Sequence, residues 1–183
     1  MPATVTTQIP TGTWSVDPIH SSIGFGVKHL GVSTFRGDIK QASGSIVTED
    51  GAITSIEGAV KVENLVTEEP ALTGHLHSPD FFDGAAHPEV TFKSTAIEQA
   101  GEDTLRVNGE LTIRGESRPV ELEAEIEGFG DGPDGTPRVG IVATGAIDRS
   151  DWGITFNMPL PNGALAVGER VKLNLHVEAV LKA

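Results

Sequence analysis

The sequence predicts an all-β protein, an antiparallel barrel of about eight strands with one short helix. Three observations predict it. Apolar and polar residues alternate with period two through most of the chain. Glycine-rich turn signals such as "EDGA", "AGED", "RGES", "GDGPDGTP" and "PNG" separate the alternating runs. One stretch, "VTEEPALTGHLH", breaks the alternation.

In "IGFGVKH", Ile23, Phe25, Val27 and His29 share one face, and "IEGAVKVEN" sets Ile56, Gly58, Val60 and Val62 on another. "TLRVNGELTIR" aligns Leu105, Val107, Gly109, Leu111 and Ile113. The sharpest pattern is "RPVELEAEIEGFG", where Val120, Leu122, Ala124 and Ile126 alternate with Glu121, Glu123, Glu125 and Glu127. One face of that strand is dry and the other must meet solvent. "RVGIVATGAID" and "RVKLNLHVEAVLK" continue the theme through Val139, Ile141, Ala143 and Gly145, then Val171, Leu173, Leu175 and Val177. Small residues (Gly58, Gly109, Ala124, Ala143, Gly145) interrupt the apolar faces where a filled core would want bulk. This favours a barrel with room inside.

Within the interruption, Thr67 is positioned to cap a helix over 68–77, with Glu68 and Glu69 at its positive end and Pro70 in its first turn. On a helix, His75 and His77 point roughly 200° apart and cannot share an ion. The loop that follows, "SPDFFDGAAHPEVTF", carries Phe81 and Phe82, which either plug one end of the fold or line a pocket's entrance.

Residues 1–12 are Thr- and Pro-rich without periodicity and read as a flexible arm; 13–183 form one domain with no internal linker. The formal charge of −13 repels phosphate backbones and argues against nucleic-acid binding or electrostatic docking on anionic lipid. No cysteine is present, which removes disulfides, thiolate nucleophiles and Cys-based metal centres. The N-terminus lacks basic and apolar signal-peptide regions, and no apolar run is long enough for a membrane span, so a cytoplasmic location is expected.

Four segments resemble the YceI-like family of bacterial lipid-binding proteins. "WSVDPIHSSIGFGVKHLG" matches through Trp14, Asp17, His20, Ser21, Phe25 and His29. "HLHSPDFFDGAAHPEVTFKS" matches through His75, Leu76, Asp80, Phe81, Phe82, Pro88 and Phe92. "GELTIRGESRPV" is similar to the family's central hairpin, and "IDRSDWGI" to its Arg-x-x-Trp-Gly element through Arg149, Trp152 and Gly153. The resemblance runs from Thr13 to Lys182. It implies a lipocalin-like barrel, often a homodimer, with an apolar tunnel for a polyisoprenoid or similar long-chain lipophile. It implies no cofactor. Many members are exported to the periplasm, an address this N-terminus does not carry.

Such a tunnel needs apolar walls more than specific hydrogen bonds. Phe25, Val27, Val60, Phe92 and Leu111 are wall candidates, as are Ile113, Ile126, Ile141 and Phe156. Phe81 and Phe82 are candidates for its entrance. His20, His29 and Arg149 are candidate donors to a polar head, although a packed histidine or an Arg149–Asp151 ion pair would explain them equally. Trp152 is either a core anchor or a ligand contact. Non-catalytic binding, transport or storage of the lipophile is the leading expectation. An enzyme is the weaker one, with no G-x-S-x-G, H-E-x-x-H or P-loop pattern present. The metal-dependent alternative gathers His20, His29, His75, His77 and His87 by folding.

Overall fold

The computed structural model describes residues 9–183. Ten strand segments form a closed antiparallel barrel of eight strand positions. β1 (Gly12–Val16) and β2 (Ser22–His29) lie end to end as one interrupted strand, as do β3 (Ser33–Ile39) and β4 (Ser43–Glu49). β5 (Ala52–Lys61), β6 (Glu89–Gln99), β7 (Thr104–Ile113), β8 (Glu116–Asp131), β9 (Pro137–Asp148) and β10 (Val167–Leu181) follow in a meander. β10 then closes the ring by pairing with β2 and β1.

The period-two faces appear as read. On β8, Leu122 and Ala124 are buried while Glu121, Glu123 and Glu125 are exposed. At the end carrying the β4–β5 and β6–β7 turns, Trp14, Ile46, Ile53, Val107, Leu122 and Val139 pack into a solid plug. Trp14 is fully buried and its indole N–H donates to Thr48 Oγ1 at 2.9 Å. The arm expected over 1–12 does not reach residue 12. Ile9 is buried in this plug, the Pro10 carbonyl accepts from Thr48 Oγ1, and Gly12 begins β1. The remainder of that expectation, residues 1–8, lies outside the described residues.

The opposite end is roofed by the long β5–β6 connection, which holds α1 (Pro70–His77). Its N-cap is Glu69, whose carboxylate accepts from the Ala71 amide, rather than Thr67. Thr67 instead exchanges hydrogen bonds with Thr73 and the Glu69 carbonyl, tying the approach to the helix onto its first turn.

Two of the small residues expected to widen the barrel serve a different purpose. A Cβ on Gly109 would fall on the Phe92 ring and within 2.6 Å of the Lys93 carbonyl. At Gly145 it would sit 2.7 Å from Leu122 Cδ2. Neighbouring side chains already occupy the space these glycines leave. Gly109→Ala is therefore expected to cost about 1–3 kcal/mol of stability by overpacking. Gly128→Ala, with open space around it, should change stability by less than about 0.5 kcal/mol. Urea unfolding of the two variants compares them.

Candidate functional site

Between the plug and the roof the barrel encloses a cavity of about 630 Å³. Phe25, Val27, Val60, Phe92, Leu111, Ile113 and Ile141 line it. Further wall comes from Val120, Val171 and Leu173, which lie on the dry strand faces but were not singled out as site residues. Phe35 and the helix residues Leu72 and Leu76 were also missed. Phe35 alternates with Thr34 and Arg36, and Leu72 and Leu76 stand four apart on one helix face, so both signals are present in the sequence.

Phe81 and Phe82 both line the cavity and pack against the two apolar clusters beneath the roof. The two rings thus cover this end of the fold and line the pocket at once. The Phe82 ring lies 6.2 Å from Phe25, whose other neighbour, Phe35, is at 6.3 Å. Gly37 makes this row possible, since any side chain there would collide with the Phe25 ring.

Four expected contacts lie elsewhere. Ile126 packs against the plug at the far end, where β8 shifts register between Ile126 and Gly128. Phe156 sits outside the wall, edge-on to His75 at 4.8 Å and to Phe81 at 5.5 Å. Trp152 is a buried anchor behind the wall, its indole N–H donating to the Leu111 carbonyl at 3.0 Å. His20 occupies the exposed β1–β2 break and faces Asp17, Glu178 and Arg138, away from the roof.

The three candidate head-group donors are therefore not brought together. His29 and Arg149 do lie at the same, roofed end and both border the cavity. Val167 pairs with His29 in register, and its carbonyl accepts from Arg149. Arg149 is 5% exposed and also donates to the Gly168 and Ile154 carbonyls at 2.8 and 3.0 Å. Asp151 is exposed and the anticipated ion pair is not made. Burial lowers the Arg149 pKa and the field of Glu169 opposes that shift. The guanidinium stays charged even so, and three carbonyl dipoles compensate it.

The histidines do not assemble a metal centre. His75 donates to Asp80 at 2.9 Å, His77 to the Leu65 carbonyl at 2.7 Å, and His87 lies against Gly115. Among the described residues the group with ligand-like spacing is Asp17, His20 and Glu178, which includes one of the five histidines. There Arg138 already stands 3.0 Å from Glu178 and 3.4 Å from Asp17, so the cation position is filled by a guanidinium.

The Asp17 hydrogen bond, seconded by its charge and that of Glu178, raises the His20 pKa; the same bond lowers that of Asp17. For a raised histidine, the added stability is complete below its unfolded pKa and disappears as pH climbs through the folded one. For Asp17 it is present above the ordinary carboxylate range and is lost on acidification. NMR titration should place the His20 midpoint above the ordinary value near 6.5, and Asp17→Asn should lower it toward that value. An unmoved midpoint would remove the pair.

This fold recurs in solved structures. Burkholderia cenocepacia BcnA superposes with a TM-score of 0.75 at 21% identity, covering 89% of this chain and 98% of that one. A polyisoprenoid-binding domain from Saccharophagus degradans gives 0.72 at 13% identity, covering 94% and 100%. Those identities carry the fold alone. In sequence, a UPF0312 protein of Vibrio parahaemolyticus is 31% identical over 182 residues, covering 95% of this chain and 92% of its own length. The protein YceI of Escherichia coli is 34% identical over 141 residues, covering 76% and 73%. The YceI-like domain model matches residues 14–179, and with the barrel, its roofed cavity and these relatives the chain belongs to the YceI-like family.

Proposed function

We propose that the protein is a non-catalytic carrier or store for a long-chain isoprenoid or a similar amphiphilic lipid, held in the barrel cavity. The cavity itself is the observation that carries the reading. Its volume of about 630 Å³ lies within the range of small-molecule sites, and Val, Ile, Leu and Phe make up most of its wall. Such a wall offers a hydrocarbon chain dispersion contacts without asking for hydrogen bonds. Each CH₂ moved from water contributes about 0.8 kcal/mol, or roughly fourfold in affinity before ordering costs. The polyisoprenoid-binding neighbour from Saccharophagus degradans supports the chemical class. His29 and Arg149, at the roofed end, mark where a polar head would lie.

Native mass spectrometry of the freshly purified protein, followed by solvent extraction of the denatured chain, should yield an organic mass of several hundred daltons. That mass should vanish from Ile113→Glu and Leu111→Glu, which place charge in the wall, and persist in Glu123→Gln on the outer face. An equal effect of wall and surface changes, or a wild-type chain that takes up no lipid, would overturn the assignment.

A further inference from the structure

We propose that the rim of the roofed end around Leu30 and Val32 is a docking face for an anionic lipid bilayer. Six large apolar side chains stand exposed among the described residues. Four of them gather here: Val32 at 83% exposure, Met158 at 57%, Leu165 at 48% and Leu30 at 39%. The backbone holds them together. The Leu30 amide donates to the Ala166 carbonyl at 2.8 Å, the Ala166 amide donates to Met158 at 3.0 Å, and Pro159 bridges to Leu165. Leu30 and Gly31 take left-handed φ angles of 55° and 68°, which fold the β2–β3 tip tightly against this hairpin.

Behind the tip lies a basic surface. Arg36 on β3 and Lys172 on β10 flank Gly26 from its two sides, and Lys28 follows on the same outer face of β2. None of the three belongs to an ion pair among the described residues, whereas Lys40 and Arg170 beside them take up Asp38 and Asp148. Glu169, also on this border, acts on Arg149. The glutamate row of β8 is separated from Lys172 by β9, and from Lys28 and Arg36 by β9 and β10.

Three free cations beside four exposed apolar side chains, in a chain of net charge −13, fit an anionic interface. Lipid phosphates would meet Lys28, Arg36 and Lys172 while the tip enters the headgroup layer. A second copy of the chain fits less well. Its most acidic face, the β8 row, presents glutamates with nothing apolar to cover the tip. The face adjoins the cavity, since Lys28, His29, Ser33 and Val167 border both. The proposal goes beyond the carrier reading and does not require it.

Sedimentation of the full chain with vesicles separates the possibilities. With about one third phosphatidylglycerol in phosphatidylcholine the protein should pellet, and added salt should release it. Val32→Glu should weaken binding at least about tenfold. Arg36→Gln with Lys172→Gln should weaken it about twenty-fivefold, taking fivefold per cation. Glu123→Gln should leave it unchanged. Unaltered melting curves would show that these exposed changes spare the fold. Equal pelleting with phosphatidylcholine alone, no pelleting, or indifference to Val32→Glu would overturn the proposal. A dimer in light scattering that Val32→Glu dissociates, without vesicle binding, would overturn it in favour of a second copy. Failure of the carrier reading shows separately, as loss of extractable lipid from a protein that still pellets.

Discussion

Closure of the barrel rests on β10, which pairs with β9 from Arg170 to Val180 along one edge and with β2 and then β1 along the other. A closed ring has a set circumference, so its interior cannot shrink to suit the side chains it receives. At one end the supply is ample and Trp14, Ile46 and Val107 fill the bore. Toward the other end the strands present Val, Leu and Ile from walls too far apart to meet. The roof of α1, Phe81 and Phe82 then encloses the space that remains. The cavity follows from ring size against side-chain supply.

The same constraint explains why the polar groups stay at the ends. Most backbone amides along the wall are committed to ladders, leaving the bore few donors. Arg149 is the exception, and its charge is spent on fastening the chain. By gathering the carbonyls of Ile154, Val167 and Gly168, it ties the long β9–β10 connection to the start of β10. Removing it would take the side-chain donor from the Ile154 and Gly168 carbonyls and leave Asn157 as the side chain that holds Val167 and Met158. The cation therefore positions the rim whether or not a ligand head reaches it.

Much of this was legible in the sequence because period two survives every local detail. The dry faces of β7, β8 and β10 could be assigned residue by residue, and the break at "VTEEPALTGHLH" marked the helix. Other features depend on contacts between distant segments. Nothing local says that Gly109 makes room for Phe92 and Gly37 for Phe25. His20 and His29 are close in sequence, but the strand between them runs up the barrel and carries them to different ends. The basic surface was invisible for the same reason. Lys28, Arg36 and Lys172 are scattered along a strongly acidic chain, and only the β3–β2–β10 register collects them. Net charge described the average field and missed the local one.

The wall is also unequal in strength around its circumference. β6 and β7 share a ladder from Thr91 to Gln99, and β7 and β8 another from Thr104 to Ile113. β3 is different. One edge pairs with β2 throughout, while among the described residues the other reaches the rest of the barrel through the single bridge of Ile39 to Leu65. Along that seam Phe35, Leu72 and Phe82 join one apolar cluster with Leu76, held by side-chain packing. Apolar packing can slide and re-form, whereas a ladder must lose its hydrogen bonds together. Widening the barrel between β3 and α1 thus disturbs one bridge, and widening it elsewhere disturbs many. The seam ends at the β2–β3 tip, so the most separable part of the wall adjoins the face that carries Leu30, Val32 and the free cations.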